Sequence, residues 1–192
     1  MDDDQHREAL GRFQGIYEAH YRSVTAYARR RTSDPVDAQD VVAETFTIAW
    51  RRLDELPDDE AVLPWLYGVA RRVLANQRRG NRRRADLTTK LRSQHGGSAD
   101  VESEVLAAEE RRTVLAALSR LRAADQEILR LAVWEELPHR EIAQVVGGSE
   151  SSVAVRLHRA RSRLGREIGK EERRRGHEDP GHPGRRAEGH EK

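Results

Sequence analysis

The chain has 192 residues, enough for one ordinary domain or two small ones. Charged residues make up 35% and aromatic residues 5%, so any core is small and mostly aliphatic, which suits helical bundles and gives no sign of a deep catalytic fold. Cysteine is absent, which excludes disulfides and thiolate metal sites; with an acidic N-terminus and no apolar run of membrane length, the expectation is a cytoplasmic protein without a signal peptide.

Phe13, Ile16, Tyr17, His20, Val24, Tyr27 and Ala28 fall on one stripe and predict a first helix over 8–31. The stripe reads as core, and His20 as a hydrogen-bonded core histidine, because no second ligand stands four residues on. Asp34-Pro35 ends this helix. A second helix over 36–53 has the cleanest periodicity in the chain, with Ala38, Val41, Val42, Thr45, Phe46, Ala49, Trp50 and Leu53 at three- and four-residue steps. Its opposite face carries Asp37, Asp40, Glu44 and Thr47, then Arg51, so the acids crowd the end that the helix dipole favours. The dipole does not explain why acids continue through 54–60, which reads as a loop.

Pro64-Trp65 is expected to open a third helix, with Leu66, Val69, Ala70, Val73 and Leu74 inward and Arg71, Arg72, Asn76, Arg78 and Arg79 outward. Periodicity then fails through RGNRRR and HGGSAD, which predicts a mobile linker at 81–100 between a domain at 8–80 and another at 101–168. In the second domain one helix holds Val114, Leu115, Leu118 and Leu121, and Asp125 caps another with Ile128, Leu129, Ala132 and Val133. The segment 169–192 is rich in Gly, Pro, charge and His and is expected to be a disordered tail, and the spacing of His177, His182 and His190 fits no rigid metal site.

The stretch 137–164, LPHREIAQVVGGSESSVAVRLHRARSRL, describes two short helices meeting at a glycine turn. Ala143 has no bulk to hold the helices apart, Gly147 can take the positive φ that ends a helix sharply, and Ser149 stands as N-cap for the next. On that next helix Val153, Leu157, Ala160 and Leu164 are expected inside, leaving Ser151, Ser152, Arg156, Arg159 and Arg163 on the outer surface. Small hydroxyls at a helix N-terminus allow close approach to base edges, and arginines one and two turns later reach guanine edges or phosphates. The fold class is therefore all-α: two small helical domains on a flexible linker, the second containing a helix-turn-helix.

A net charge of +2 conceals segregation. Residues 32–60 carry nine acids against two arginines, 71–92 nine basic residues against one acid, and 156–175 nine basic residues against three acids. Two basic surfaces and an acidic one suggest two nucleic-acid contacts and one protein contact. A helix-turn-helix response regulator or repressor would also bind duplex DNA, but would need neither the acidic helix nor the second basic one. No nucleophile with a base, paired catalytic carboxylates, phosphate loop or metal cluster is evident, so an enzyme is not expected, nor a cofactor or small-molecule substrate.

Three stretches, in order, carry a family resemblance. DAQDVVAETFTIAW resembles the helix by which extracytoplasmic-function RNA polymerase sigma factors dock on the polymerase clamp, PWLYGVARRVLANQRR their promoter-melting helix, and 137–164 their upstream-element reader. The resemblance covers roughly residues 10–168. It implies a protein that lends promoter specificity to core RNA polymerase, without catalysis. It assigns polymerase binding to Asp37, Asp40, Glu44, Thr47 and Arg51, single-stranded −10 DNA to Trp65, Arg71, Arg72, Asn76 and Arg79, and double-stranded −35 DNA to Ser149, Ser151, Ser152, Arg156, Arg159 and Arg163. It admits an anti-sigma factor as a further partner and implies no membrane. Gly148, Ser151 and Ala154 depart from the family's usual reader residues, and Arg72 from its usual asparagine.

Overall fold

The computed structural model describes residues 3–87 and 103–178, with side chains over 4–80 and 109–174. The described residues form α1 (Asp3–Arg29), α2 (Pro35–Arg51), a 3-10 turn at Leu53–Glu55, α3 (Asp59–Leu87), α4 (Ser103–Ser119), α5 (Ala123–Val133), α6 (His139–Val146) and α7 (Glu150–Glu178). No helix among them is long and apolar enough to cross a membrane.

Asp34 sets the start of α2. Its carboxylate accepts the Val36 N–H at 2.8 Å, and Pro35 occupies the first turn, where a missing N–H costs nothing. The stripe read from the sequence is the buried one: Ala38, Val41, Val42, Phe46 and Ala49 face inward, and Thr45 is buried with them by donating its hydroxyl to the Val41 carbonyl at 2.6 Å. They meet Ile16, Val24 and Ala28 of α1 and Val62, Leu66, Val69 and Ala70 of α3. Trp50 and Tyr17, expected inside, stand at the edge of this core and are more than a third exposed. His20 is half-buried, and burial lowers its pKa against the opposing pull of Asp59.

Two boundaries of α3 differ from the sequence reading. The helix begins at Asp59, so Pro64 lies inside it. Asp59 and Glu60 complement the dipole in the first turn, and the buried Pro64 ring adds apolar contact where it forgoes one backbone hydrogen bond. At the other end the helix runs through Gly80 to Leu87, since one glycine costs only about 1 kcal/mol in a helix and the flanking arginines are good helix formers. The first residues of the expected linker are thus helical; 88–100 lie outside the described residues.

In the second half Ala117 and Leu118 of α4, Ile128, Leu129 and Leu131 of α5, Ile142, Ala143 and Val145 of α6 and Val153, Leu157 and Ala160 of α7 are buried. Val114, Leu115 and Val133 are exposed instead of buried. The inward positions of α4 are Thr113, Ala117 and Leu118, with Leu121 buried just beyond its end, so Leu118 and Leu121 lie inside as expected while Val114 and Leu115 fall on the outer side. Asp125 is not an N-cap: α5 starts after Arg122, and the Asp125 carboxylate lies buried against Arg163 at 2.5 Å. Helix α7 also continues past Ile168 to Glu178, with Glu171 paired to Arg120 just beyond α4, so the tail's first ten residues are helical and those from 179, with His182 and His190, lie outside the described residues.

The two halves share one continuous apolar cluster. Helix α3 contributes to it on two sides: one faces α1 and α2, and the other lies along α6.

Candidate nucleic-acid interface

The helix-turn-helix is built as its residues require. Gly147 closes α6 at φ 76° and Gly148 follows at φ 137°, both in the region that favours glycine. Ser149 Oγ then accepts the Ser152 N–H at 3.2 Å, and Ser152 Oγ donates to the Ser149 carbonyl at 2.8 Å. The first turn of α7 is thus closed by its own serines, with Ser151 Oγ 3.1 Å from Ser149 Oγ. All three serines remain exposed.

Along α7 the outward face carries Arg159, exposed, and Arg156, half-buried. Arg163 is drawn from this face into its ion pair with Asp125, so of the three arginines read from the sequence it is the one already occupied. Between the serines and Arg159 stands Val155, 50% exposed and apolar, which sequence reasoning passed over. The signal was present: Val155 lies one turn beyond Ser151, on the same side. An exposed branched side chain there can touch a thymine methyl.

The second basic face lies on α3. Arg72, Asn76 and Arg79 are exposed and Arg71 is half-buried. Arg79 donates to the Asn76 side-chain oxygen, and Arg78 donates to the Arg31 carbonyl at 3.0 Å, which fixes two of the guanidinium groups. Trp65 is half-buried against the core, with the Arg52 guanidinium 5.9 Å from its ring centre. Arg71, Arg72, Arg78 and Arg79 line a cleft of about 490 Å³ whose other wall is Ala123, Ala124 and Glu127 of α5. Positive charge is in excess there, since Arg31 joins those four arginines against Glu127; beside the cleft Arg130 has its pKa lowered by burial and by the neighbouring Arg31 and Arg78, against the pull of Glu127.

The acidic face of α2 is open. Asp40, Glu44 and Arg51 are exposed, with Asp37 and Thr47 half-buried. Asp40, Glu44 and Thr47 border a groove of about 520 Å³ whose far side is Val73, Asn76 and Gln77 of α3, so the acidic set and one member of the basic set share one furrow. On the other flank of α2, Tyr17, Tyr21 and Phe46 form an aromatic cluster, with ring centres 5.0 Å apart for the tyrosine pair and 4.8 Å for Tyr17 with Phe46. A furrow of about 310 Å³ runs beside it, and the buried Thr25 hydroxyl on its wall has no hydrogen-bond partner among the described residues. The sequence reading placed Tyr17 in the core and missed this surface.

Residues 16–84 match the family model described as Sigma-70 region 2, and 111–164 match that described as Sigma-70, region 4. The chain is 30% identical over 180 residues to RNA polymerase sigma factor NccH of Alcaligenes xylosoxydans xylosoxydans, covering 85% of this chain and 95% of that one. It is 30% identical over 148 residues to ECF RNA polymerase sigma factor SigL of Mycobacterium tuberculosis, covering 76% and 82%. A probable RNA polymerase sigma factor of Xanthomonas campestris pv. campestris, RfaY, is 32% identical over 168 residues, which span 84% of this chain but only 41% of that longer one. In fold the chain is similar to the sigma factor RpoE of Bartonella quintana, solved with the anti-sigma factor NepR, at a TM-score of 0.60, 22% identity, and coverage of 88% and 98%.

Proposed function

The chain belongs to the extracytoplasmic-function sigma factors of RNA polymerase, and from that premise we propose how it divides the work of promoter recognition among three helices. The first half of α7 reads the −35 element as a duplex, with Ser149, Ser151 and Ser152 at the groove floor, Val155 against a base methyl, and Arg156 and Arg159 on base edges or phosphates. The basic face of α3, through Arg71, Arg72, Asn76 and Arg79 with Trp65 beside them, holds the single-stranded −10 element. The outer face of α2, through Asp37, Asp40, Glu44, Thr47 and Arg51, docks on core polymerase. The Bartonella relative was solved with an anti-sigma factor, and we extend the same class of partner to this chain.

The observation that carries this reading is that one chain presents all three faces: an open acidic helix, a basic helix bordered by a cleft, and a capped helix with an exposed small, apolar and basic succession. A repressor needs only the third. Photo-crosslinking in a complex of the chain, core polymerase and a promoter tests the division directly. A reactive thymine analogue in the duplex at −35 should attach to α7, and one in the non-template strand at −10 should attach to α3. Attachment of the −10 probe to α7, or of neither probe, would overturn it.

A further inference from the structure

The cleft beside the basic face of α3 gathers positive groups from three elements around one volume of about 490 Å³, within the roughly 300–1,000 Å³ of small-molecule sites. From α3 come two arginine pairs, Arg71 with Arg72 and Arg78 with Arg79, seven residues and therefore about 10 Å apart along the helix. Neither Arg71 nor Arg72 has a carboxylate partner among the described residues. Arg31, just beyond α1, is the second element. Its side chain is 2% exposed and donates through Nε to Glu127 at 3.0 Å and through Nη1 to Glu135 at 2.8 Å, while Nη2 is buried without a hydrogen-bond partner among the described residues. The third element is the N-terminus of α5, whose Ala123 and Ala124 stand on the opposite wall. Arg122 offers those first amides no side-chain acceptor, and the first backbone donors to find one there are Asp125 and Gln126, both on the Arg122 carbonyl. The positive end of the helix dipole is thus left uncapped beside the arginines. The one carboxylate lining the cleft, Glu127, already accepts from Arg31 and, at 2.8 Å, from the Tyr27 hydroxyl.

Such a set is unfavourable without an anion, because like charges repel and a buried guanidinium nitrogen lacking an acceptor forgoes a hydrogen bond. Guanidinium forks and the free amides of a helix start are both donors suited to phosphate oxygens. The separation of the arginine pairs exceeds the span of one phosphoryl group, and Leu74 and Ala75 between them give the floor an apolar stretch. We propose that this cleft binds a small anion bearing a diphosphate group, free or carried by a nucleotide, held by Arg72, Arg79, the Arg31 Nη2 and the first amides of α5. A DNA strand lying on α3 meets the exposed arginines but gains nothing from a buried nitrogen beyond α1 or from amides on the facing helix, which only a small group entering the cleft reaches. Arg72 and Arg79 are also assigned to the −10 strand, so anion and strand compete. That consequence rests on the proposed function; the site itself rests on the contacts.

Calorimetric titration of the full chain with sodium pyrophosphate, at about 0.15 M salt so that diffuse attraction is screened, tests the site. Saturable binding of one pyrophosphate per chain is expected. Arg72→Ala should weaken it about tenfold through loss of a charge-assisted donor. Ala124→Asp, at an exposed position where the α5 dipole favours an acid, should keep the fold and weaken binding at least as much, by placing a carboxylate in the cleft. Arg22→Ala, which removes an exposed arginine of α1 outside the cleft, should change nothing. ADP binding tighter than pyrophosphate identifies a nucleotide as the ligand and equal affinities identify the inorganic anion; either upholds the site. No saturable binding, an undiminished affinity in Ala124→Asp, or the same loss in Arg22→Ala as in Arg72→Ala would overturn it, the last by revealing attraction to a basic surface alone. A fluorescent single strand separates the two claims: pyrophosphate binding that fails to displace the strand upholds the site and counts against the role assigned to α3. Strand binding that falls with Ala124→Asp, in a chain that takes up no pyrophosphate, would make nucleic acid the occupant instead.

Discussion

The two basic helices are alike in charge and unlike in setting. The first half of α7 is open on its outer side, its N-terminus capped by Ser149, with Arg159 exposed, Arg156 half-buried and Arg163 paired to Asp125. The basic face of α3 is bordered by α5, its guanidinium groups partly committed to Asn76 and the Arg31 carbonyl. If both helices meet DNA as proposed, α7 offers an open outer face, whereas α3 shares its cleft with Ala123, Ala124 and Glu127 of α5. The difference arises from burial on two sides of α3, which serves both as a wall of the first core and as the seat of α6.

The largest effect should come from the face independent of this contrast. Replacing Asp40 and Glu44 by Lys is expected to weaken core polymerase binding by several kcal/mol, because like charges would meet across the interface. Both side chains are exposed, so the melting temperature should barely change. A pull-down paired with a melting curve checks this; normal melting with wild-type binding would free α2 of its assigned role.

Next in size is the duplex contact of α7. Arg156→Ala should cost about 1–3 kcal/mol at a promoter and relax preference at one position if the guanidinium reads a base. Arg163→Ala should behave differently, lowering stability through loss of the Asp125 pair more than it lowers specificity. Binding isotherms over a set of duplex variants distinguish them, and a uniform loss for Arg156→Ala would make it a phosphate contact.

High pH sharpens the contrast from the α3 side. Tyr67 stacks on Tyr27 with ring centres 4.8 Å apart, and burial, then the charge of Glu135, pushes its pKa up to about 12. Its folded pKa lies above the unfolded value, so this stabilisation is complete below about pH 10 and disappears as pH rises through the folded value. The Tyr67 share of the fall should therefore reach about 1.4 kcal/mol per pH unit in that window, beside that of Tyr27, whose pKa burial also raises, so Tyr67→Phe should lessen the fall without abolishing it. Denaturant melts across the window read it out.

The smallest effects concern the chain's end. Cutting after Glu178 should change stability by no more than about 0.5 kcal/mol, whereas cutting after Ile168 removes the Glu171 partner of Arg120 and a helical stretch against α4, costing about 1 kcal/mol. Equal melting temperatures for the two truncations would show that the extension of α7 contributes nothing.

What was legible in the sequence was what repeats locally. The α2 stripe, the Gly147 turn and the Ser149 cap follow from spacing alone, and the structure shows all three. Where local signals were weak punctuation they misled: Gly80 does not end α3 and Pro64 does not begin it, because long amphipathic helices tolerate one such residue when packing and helix-forming neighbours outweigh it. The larger side chains of Val114 and Leu115 suggested an inward face that the smaller Ala117 occupies instead. The partners of Arg31 were beyond reach, since Glu127 and Glu135 stand about 100 residues away and a buried ion pair has no periodic trace. The same applies to Asp125, whose position suggested a cap while its partner Arg163 lay on another helix.

Run-off transcription with purified core polymerase over a library of randomised promoters tests the central claim most directly. The wild-type chain should yield transcripts from templates sharing one upstream and one downstream element, Arg156→Ala should broaden the upstream element alone, and Arg79→Ala should weaken output without altering it. Transcription no greater than that of core polymerase by itself, or enrichment of an upstream element alone, would contradict the account.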